Sequence, residues 1–425
     1  MNIIEILEDR GMLEAISSPE LRTLAEDSSK PLKVYCGFDP SADSLHLGSM
    51  VPIMALAWFQ RCGHQPFVLV GGATGMIGDP SGKSAERQLL DEVTLEKNQK
   101  GITSDLKKIL VSNDIPNPAY FLNNYDWFKS FSFIDFLRDI GKYFRVGVMI
   151  AKESVKARMQ SEEGMSFTEF SYQTLQGYDF YHLFHNHGVT VEIGGSDQWG
   201  NITAGIDYVR KVTGQSVYGL TLPLLTKSDG TKFGKSEKGA VFLSQDRVSP
   251  YEFYQYLIRV ADADVVKLLK LLTFMELSDI SEIEKNMQES SYVPNTAQKI
   301  LAEQITRLVH GVEGLKNALS ATEQFHQGKK ASYNSESIQA LLSELPHAEC
   351  KKDEVSGKKA VDIIVECKFL SSKSEVRRLI QNRGLLINDL RIEQDDYIIS
   401  DKDFVDDAFV IFSFGKKNKA VLKLK

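Results

Sequence analysis

The sequence lacks several features that would place it in a specialised class of protein. It has four cysteines in 425 residues and no C-x-x-C pair, so it predicts neither a disulfide scaffold nor a zinc ribbon. No apolar run approaches the ~18 residues that a membrane span requires. The N-terminal stretch MNIIEILEDR is acidic where a signal peptide needs a basic flank. We therefore expect a cytoplasmic protein with reduced thiols and no membrane contact.

Excess positive charge is also missing from most of the chain. The net charge is -7, which argues against a surface that is basic throughout and gives no reason to expect DNA as a partner. Residues 358–425 are the exception, because they hold 14 Lys and Arg against 11 Asp and Glu, a net charge of +3. A polyanionic partner should therefore meet this C-terminal segment.

Short apolar runs alternate with helical patterns over the first two hundred residues. KVYCGF at 33–38, PFVLV at 66–70 and VTVEI at 189–193 have the composition of buried strands, and helical segments lie between them. This alternation predicts an α/β fold built on a doubly wound, Rossmann-like parallel sheet. In such a sheet, ligands bind beyond the carboxyl ends of the strands.

The chain is long enough for several domains, since one hydrophobic core seldom organises more than ~300 residues. After residue 248 the strand signals vanish and apolar residues recur at helical spacing, and a later stretch rich in Lys, Ser, Gln and Glu has little periodicity. We predict five parts: a sheet domain at 1–230 with a connective insertion at about 120–190, a lysine-bearing loop at 231–248, an α-helical domain at 249–325, a linker at 326–357, and a small α+β domain at 358–425.

Two glycine-rich segments are similar to phosphate-binding loops without matching the Walker pattern. In GDPSGKS at 78–84 and GTKFGKS at 230–236, the first glycine is one residue too close to the Gly-Lys-Ser triplet. Lysines on such loops can still bind phosphate, as point charges beside backbone N–H groups. The alternative for each segment is a solvated, mobile turn.

Three histidines in YHLFHNHG raise the question of a metal site: His182, His185 and His187. The sequence supplies no partner motif, and histidines at the end of a helix complement its last carbonyl groups. We therefore predict no metal held by the protein alone.

The combination of motifs is more specific than any one of them. HLGS at 46–49, followed about 190 residues later by KFGKS at 232–236, resembles the paired signatures of class I aminoacyl-tRNA synthetases. The strings YCGFDPSADSLHLG, VGGATGMIGDPSGKSAER, EFSYQTLQGYDF and IGGSDQWGNI are similar to those of bacterial tyrosyl-tRNA synthetases. The likeness covers about residues 30 to 260 and resumes in the C-terminal segment. Ser49 stands where the family has its second signature histidine, which leaves the contribution of this position to nucleotide binding open.

The resemblance implies a tyrosine–tRNA ligase. Such an enzyme activates L-tyrosine with ATP to tyrosyl-adenylate and pyrophosphate, and then transfers tyrosine to the 3′ end of tRNA(Tyr). It also implies a homodimer formed through roughly residues 120–170 and an anticodon-side position for the helical domain. Mg²⁺ would accompany ATP, and no tightly bound cofactor is expected. Two alternatives stay open: a small-molecule nucleotidyltransferase that shares the His-x-Gly-His core, and a catalytically silent RNA-binding relative.

The resemblance assigns site residues to three tasks. Charge on the phosphates would be stabilised by Ser41, His46, Lys83, Arg87, Lys232 and Lys235. Tyrosine would be bound through its phenol by Tyr35 and Asp179, through its ammonium group by Asp79, Tyr172 and Gln176, and near its carboxylate by Gln198. ATP would contact Cys36, Gly37, Asp39, His46, Gly48, Asp197, Lys232 and Lys235. Independently of the resemblance, Tyr172 and Gln176 are four residues apart and so share one face of a helix.

The C-terminal segment contains a basic helix in SSKSEVRRLIQNRG. Ser372 and Glu375 form a capping-box pattern at its start, and Gly384 is expected to close it. The candidate RNA-binding residues on this helix are Lys373, Arg377, Arg378 and Arg383. The segment resembles a small RNA-binding module first recognised in a ribosomal protein, and its alternative is a solvated charged helix.

Overall fold

A computed structural model describes residues 2–82, 89–111, 117–160, 164–236, 239–325, 335, 338–339, 342, 345–415 and 418–425. The chain forms two compact units. The first comprises residues 1–247 and 259–309, and the second comprises residues 248–258 and 310–425. The helical segment predicted at 249–325 is therefore shared between the two units.

The first unit is built on a six-stranded sheet. Its strands are β1 (Ala15–Ile16), β2 (Lys33–Phe38), β3 (Gln65–Val70), β4 (Tyr120–Asn123), β5 (Val191–Gly195) and β6 (Tyr218–Leu222). The strand order is β1-β6-β5-β2-β3-β4, and all pairings are parallel except that of β1 with β6. The predicted doubly wound sheet is confirmed. Its order reverses at β2, which lies between β3 and β5, so a ligand site is expected at the carboxyl ends of β2 and β5.

Helices follow the strands and cover both faces of this sheet. The helices that precede the lysine-bearing loop are α1 (Ile3–Asp9), α2 (Glu20–Glu26), α3 (Met50–Arg61), α4 (Thr74–Ile77), α5 (Glu92–Leu110), α6 (Tyr125–Phe128), α7 (Phe133–Asp139), α8 (Val146–Ile150), α9 (Glu153–Met159), α10 (Phe167–His187) and α11 (Trp199–Thr213). A short ribbon pairs β7 (Lys235–Ser236) with β8 (Gly239–Ala240). The longest of these helices, α10, begins at Ser166, whose side chain accepts a hydrogen bond from the Glu169 N–H, and ends at the left-handed Gly188.

The helical segment after β8 begins with α12 (Pro250–Ile258), which belongs to the second unit. It continues with α13 (Asp262–Leu272) and α14 (Leu277–Asn286) in the first unit. The last helix, α15 (Thr296–Phe325), is interrupted at Gly311, where φ is 73° and ψ is -175°. The division between the two units falls at this interruption. Glycine suits the interruption of α15 because few other residues adopt a positive φ without strain.

The second unit contains a five-stranded sheet of order β11-β10-β12-β13-β9. Its elements are β9 (His347–Cys350), α16 (Lys352–Val355), α17 (Ala360–Glu366), α18 (Lys373–Gln381), β10 (Leu385–Ile387), β11 (Leu390–Arg391), β12 (Phe409–Phe414) and β13 (Asn418–Leu424). Alternate residues of β12 face two apolar clusters, one with α17 and α18 and one with Ile338 and Leu342. We call this assembly the C-terminal sheet.

Two local features differ from the sequence-based expectations. Residues 347–355, which fall inside the predicted linker, form β9 and α16, and β9 pairs in parallel with β13. Ser372 caps α18 as expected by accepting from the Glu375 N–H at 3.3 Å. The left-handed residue after this helix is Arg383, with φ of 55°, rather than Gly384.

Candidate active site

The two signature segments, about 190 residues apart in sequence, lie against each other. His46 forms an antiparallel bridge with Phe242, and the Leu47 N–H donates to the Val241 carbonyl oxygen at 2.9 Å. Gly234 of the lysine-bearing loop sits so close that a β-carbon there would lie 3.0 Å from Leu47 Cβ, and its φ is 83°. A side chain at Gly234 would therefore be strained both by its backbone conformation and by this contact.

Glycine at position 48 lets the histidine of the first signature lie over the backbone. A β-carbon at Gly48 would come within 2.8 Å of His46 Cε1 and 2.9 Å of His46 Nδ1. Any larger residue would displace the imidazole ring. His46 and Ser41 both have exposed side chains and both line the cavity described next.

A cavity of about 310 Å³ opens at the carboxyl ends of β2 and β5, where the sheet topology predicts a ligand site. Most of the residues predicted from the sequence line it: Tyr35, Cys36, Gly37, Asp39, Ser41, His46, Gly48, Asp79, Tyr172, Gln176, Asp179, Asp197 and Gln198. Ser49 lines it too. A larger open groove of about 990 Å³ lies along α5 and β4, but it holds none of these residues.

Asp179 of α10 is deeply buried, with 1% of its surface exposed. It accepts from Trp127 Nε1 at 2.8 Å and from Asn124 Nδ2 at 3.0 Å. Burial raises the pKa of Asp179 well above its ordinary value, and these two hydrogen bonds oppose the rise. The carboxylate is thus held in one orientation inside the cavity.

A chain of hydrogen bonds links Asp179 to the loop after β2. Asn124 also donates to Thr74 Oγ1 at 2.9 Å, and Thr74 donates to Asp39 Oδ1 at 2.7 Å. The Tyr172 hydroxyl donates to Asp39 Oδ2 at 2.8 Å. Residues that directly follow β2 and β4 therefore share one polar network with residues of α4 and α10, which fixes their side chains relative to one another.

A second polar group lies around Asp79, which is 7% exposed. Gln198 donates to Asp79 Oδ2 at 2.6 Å, and Asn201 donates to Asp79 Oδ1 at 3.3 Å. The Ser81 backbone N–H donates to the same Oδ1 at 3.0 Å. Nearby, burial and the Asp79 charge raise the pKa of Asp197, while Lys232 lowers it in part.

The lysine-bearing loop projects its charges to the surface next to the cavity. Phe233 is buried and anchors the loop, whereas Lys232 and Lys235 on either side of it are exposed. The electrostatic effect of Lys232 on Asp197 places this lysine near the cavity. The predicted Lys83 and Arg87 lie outside the described residues.

Reasoning from the sequence missed two residues that line the cavity, Asn124 and Glu192, and also Trp127, which donates to Asp179. Glu192 lies in register with Tyr35 on the neighbouring strand, and its Oε1 accepts from Gln176 Nε2 at 2.9 Å. Burial raises the pKa of Glu192 to about 7. A charged residue in the otherwise apolar run VTVEI was the available signal for Glu192, since a buried glutamate needs a reason.

Two of the three histidines near the end of α10 stack on aromatic rings, and the third, His187, has a tilted contact with Phe67. His182 stacks on Trp127 with ring centroids 4.1 Å apart, and His185 stacks on Tyr181 at 5.6 Å. Across the described ranges, no group of three or more His, Cys, Asp or Glu side chains is placed to hold a metal ion.

The basic helix α18 lies at the surface of the C-terminal sheet, and all four candidate RNA-binding side chains are exposed. Lys373 pairs with Asp362 at 2.7 Å, and Arg377 pairs with Asp395 at 3.0 Å. In the part of the chain that the structure describes, no helix has the length and apolarity to span a membrane.

Known proteins match the chain along most of its length. The family described as "tRNA synthetases class I (W and Y)" matches residues 27–327, and the "Tyrosine--tRNA ligase SYY-like C-terminal domain" matches residues 337–422. A tyrosine–tRNA ligase of Protochlamydia amoebophila is 57% identical over 423 residues, which span 100% of this chain and 99% of that protein. The chloroplastic/mitochondrial tyrosine–tRNA ligase of Arabidopsis thaliana is 51% identical over 427 residues, spanning 100% and 84%.

A solved structure is also similar. The C-terminally truncated mitochondrial tyrosyl-tRNA synthetase of Aspergillus nidulans superimposes with a TM-score of 0.67 at 31% identity, covering 76% of this chain and 94% of that one. The chain belongs to the class I tyrosyl-tRNA synthetases. The resemblance inferred from the motifs is therefore confirmed, together with the fold class and the expectation of a ligase.

Proposed function

We propose that the cavity of the first unit joins L-tyrosine to ATP, and that the chain then transfers the tyrosyl group to the 3′ end of tRNA(Tyr). One observation carries this proposal most directly. A single cavity contains the buried Asp179 beside Tyr35 and also the first signature segment, against which the lysine-bearing loop packs, so a phenol site and a phosphate site are adjacent.

The chemistry needs no nucleophile from the protein. The tyrosine carboxylate attacks the α-phosphorus of ATP, a bond to that phosphorus forms, and the bond to the bridging oxygen of pyrophosphate breaks. The protein must align two anions and stabilise the charge that grows on the departing phosphates. We assign this stabilisation to Ser41 and His46 at the cavity mouth and to four cations on glycine-rich loops, Lys83, Arg87, Lys232 and Lys235. Loops of this kind can close over ATP and open again for release.

The polar groups of the cavity suit tyrosine in one orientation. A phenol donates one hydrogen bond and accepts another, so Asp179 can accept from it and Tyr35 can donate to it. Asp79, Tyr172 and Gln176 surround the ammonium group, and Gln198 lies near the carboxylate. Phenylalanine in the same place would leave the buried polar groups of Asp179 and Tyr35 without partners, which is costly.

ATP is assigned to the rim of the same cavity. Asp197 and Cys36 would contact the ribose, and Asp39 would lie beside the adenylate. Gly37 and Gly48 would allow close approach of the nucleotide to the backbone. We infer that Mg²⁺ enters with ATP, because the phosphates supply the oxygen ligands that this ion prefers.

For tRNA we assign the basic face of α18, with Lys373, Arg377 and Arg378, together with Arg383 just after the helix. Exposed cations on a short helix bind a phosphate backbone with an affinity that depends on salt. The match of the C-terminal segment to a tyrosine–tRNA ligase domain supports this assignment over a small-molecule nucleotidyltransferase. Because tRNA and ATP are both cytoplasmic, we expect the protein to work in that compartment.

We propose a homodimer formed through the connective insertion. Large apolar side chains are exposed there in unusual density: Tyr120, Tyr125, Phe133, Ile134, Leu137, Val146, Val148, Ile150, Met159 and Phe167. Phe133 and Ile134 are 63% and 66% exposed, and such a patch is typical of an interface. A second copy of the chain would cover it. Sedimentation should show a dimer for the wild-type protein and a monomer for Phe133→Asp.

ATP–pyrophosphate exchange measured with each standard amino acid tests the activation step. We expect strong exchange with tyrosine and scarcely any with phenylalanine. Equal exchange with both amino acids would contradict the pocket assignment. Absence of exchange with every amino acid would favour a silent RNA-binding relative instead, and nucleotide transfer to a non-amino-acid acceptor would favour the nucleotidyltransferase.

A further inference from the structure

Three buried polar atoms inside the cavity have no hydrogen-bond partner among the described residues. They are Gln176 Oε1, Glu192 Oε2 and the Tyr35 hydroxyl oxygen. A buried polar atom without a partner is unfavourable, and a cluster of them indicates a place where a ligand supplies the missing bonds.

Glu192 lies at the centre of this cluster. It is 2% exposed on β5, with Tyr35 directly opposite on β2 and Gln176 above it on α10. A β-carbon at Gly205 of α11 would lie 3.5 Å from Glu192 Oε2, so α11 covers the carboxylate closely. The carboxylate therefore has little freedom to turn away from Gln176.

The chemistry of this contact fixes the orientation of the Gln176 amide. An ionised carboxylate can only accept hydrogen bonds, so the amide must direct its Nε2 to Glu192, as the 2.9 Å hydrogen bond shows. The amide oxygen is then directed away from Glu192. The amide oxygen can accept a hydrogen bond, and the substrate ammonium group can only donate one. The two groups therefore match.

We propose that Glu192 is a positioning residue for the amino-acid substrate, and that it acts through Gln176 by presenting Gln176 Oε1 to the substrate ammonium group. This inference rests on the proposed function, since it requires the cavity to bind tyrosine. Glutamine at this position would hold the Gln176 amide less strictly, because an amide can both donate and accept.

The positioning depends on pH through Glu192 itself. The titratable groups facing it are Tyr35 and Cys36 on β2 and Asp179 on α10. Burial raises the pKa of Tyr35 and of Cys36, so both stay neutral between pH 6 and 8. Burial raises the pKa of Glu192 to about 7, and the hydrogen bond from Gln176 lowers it in part. Below that pH the protonated carboxyl can donate, and the Gln176 amide can turn its oxygen toward Glu192, away from the substrate.

The test uses full-length wild type, Glu192→Gln, Gln176→Ala and the double variant in tyrosine-dependent pyrophosphate exchange from pH 6 to 8. For Glu192→Gln we expect KM for tyrosine to rise about tenfold with kcat changed less than about twofold, the pattern of lost substrate binding. In the Gln176→Ala background, Glu192→Gln should change KM less than about twofold, because residues that act through one contact are not additive. Wild-type KM should rise as the pH falls below about 7, and the Glu192→Gln profile should be flat.

Each other outcome decides a different point. No tyrosine-dependent exchange by the wild type would overturn the proposed function itself. If the wild type supports exchange but Glu192→Gln has the same KM for tyrosine and the same pH profile as the wild type, only this inference is overturned. A KM effect that persists in the Gln176→Ala background would do the same. If Glu192→Gln fails to fold, the wild-type profile decides, since a KM independent of pH from 6 to 8 contradicts the proposal.

Discussion

The cavity of the first unit and the C-terminal sheet of the second place charge in opposite ways. The C-terminal sheet is built on apolar side chains such as Val376, Leu385 and Phe412, and its surface carries ion pairs such as Lys352–Asp407 at 2.9 Å. The cavity buries Asp179 and Glu192 instead, and gives them amide and indole partners rather than cations.

This difference separates residues that serve the fold from residues that serve a ligand. A buried carboxylate without a cation opposes folding, because burial penalises the charged form. Tyrosine brings an ammonium group and a phenolic O–H, which are the donors that such a cavity lacks. We therefore expect changes in the cavity to alter catalysis strongly, and matched changes on the C-terminal sheet to alter it little.

The largest expected effect comes from the lysine-bearing loop. Lys232→Ala and Lys235→Ala should each remove roughly 2 to 4 kcal/mol of transition-state stabilisation, about 30- to 1,000-fold in the rate of adenylate formation. Tyrosine affinity should change little, because the charge they meet develops only during the reaction. Single-turnover kinetics measures both quantities.

The matched control is Lys352→Ala on the C-terminal sheet, which removes the same side chain from a surface ion pair. Solvent screens exposed pairs of this kind and they contribute little to stability, so neither the rate of adenylate formation nor the tyrosine affinity should change in this variant. An unchanged rate with weakened tyrosine binding in the loop variants would move these lysines out of the catalytic assignment.

Asp179→Asn should lower kcat/KM for tyrosine by about 100-fold, since a charged acceptor of a buried hydrogen bond is lost. The small residual exchange with phenylalanine should not fall, because phenylalanine has no hydroxyl to lose a bond. Asp407→Asn, which removes a carboxylate from the C-terminal sheet, should change neither value. Equal losses with tyrosine and phenylalanine in Asp179→Asn would show that the substitution damages the fold rather than the recognition of the phenol.

Much of the fold and part of the cavity were predictable because their signals are local. The strands KVYCGF and PFVLV are apolar runs of strand length, and both occur where they were expected. Tyr172 and Gln176 were placed together because helical spacing alone puts them on one face. That HLGS and KFGKS lie side by side came from the resemblance, since nothing local links segments 190 residues apart.

The remaining features depend on contacts that no local pattern shows. Trp127 meets Asp179 across 52 positions of sequence, and Glu192 meets Gln176 across 16 positions and two different elements. Strand β9, with the sequence HAEC, is too short and too polar to show strand alternation, and its pairing with β13 determines its structure. Burial of polar residues is therefore the part of this cavity that only a tertiary structure can reveal.

Glu192→Gln should stabilise the first unit at pH 8. Burial raises the pKa of Glu192 from 4.5 to about 7, so between these values the folded state holds a proton that the unfolded state has lost. The contribution of Glu192 to wild-type stability is greatest below its pKa in the unfolded state, 4.5. This contribution falls as the pH rises to its pKa in the folded state, about 7. The neutral variant avoids this fall and should gain roughly 1 to 3 kcal/mol at pH 8 relative to the wild type.

Calorimetry at pH 5 and pH 8 measures this gain, on the transition that added tyrosine shifts to higher temperature. At pH 5 the wild type and the variant should unfold at nearly the same temperature, because Glu192 is then protonated in the folded state. A variant that is destabilised equally at both pH values would show that the carboxylate supports the fold, and would remove the contrast between the cavity and the C-terminal sheet.

The smallest expected effects concern the surface of the C-terminal sheet. Arg377 pairs with Asp395 at 3.0 Å, and both side chains are about half exposed, so the pair contributes little to stability. A tRNA phosphate can therefore take the place of Asp395. Arg377→Ala and Arg378→Ala should each reduce the slope of log affinity against log salt by roughly 0.7 to 0.9, the value for one phosphate contact.

Asp395→Asn should act in the opposite direction and strengthen tRNA binding, because it frees Arg377 from its competing carboxylate. Pyrophosphate exchange should be unchanged in all three variants, since no RNA takes part in that step. If the arginine variants keep the wild-type salt slope, the basic face of α18 is a solvated surface and tRNA binds elsewhere; if Asp395→Asn weakens binding, the ion pair orders Arg377 for RNA rather than competing with it.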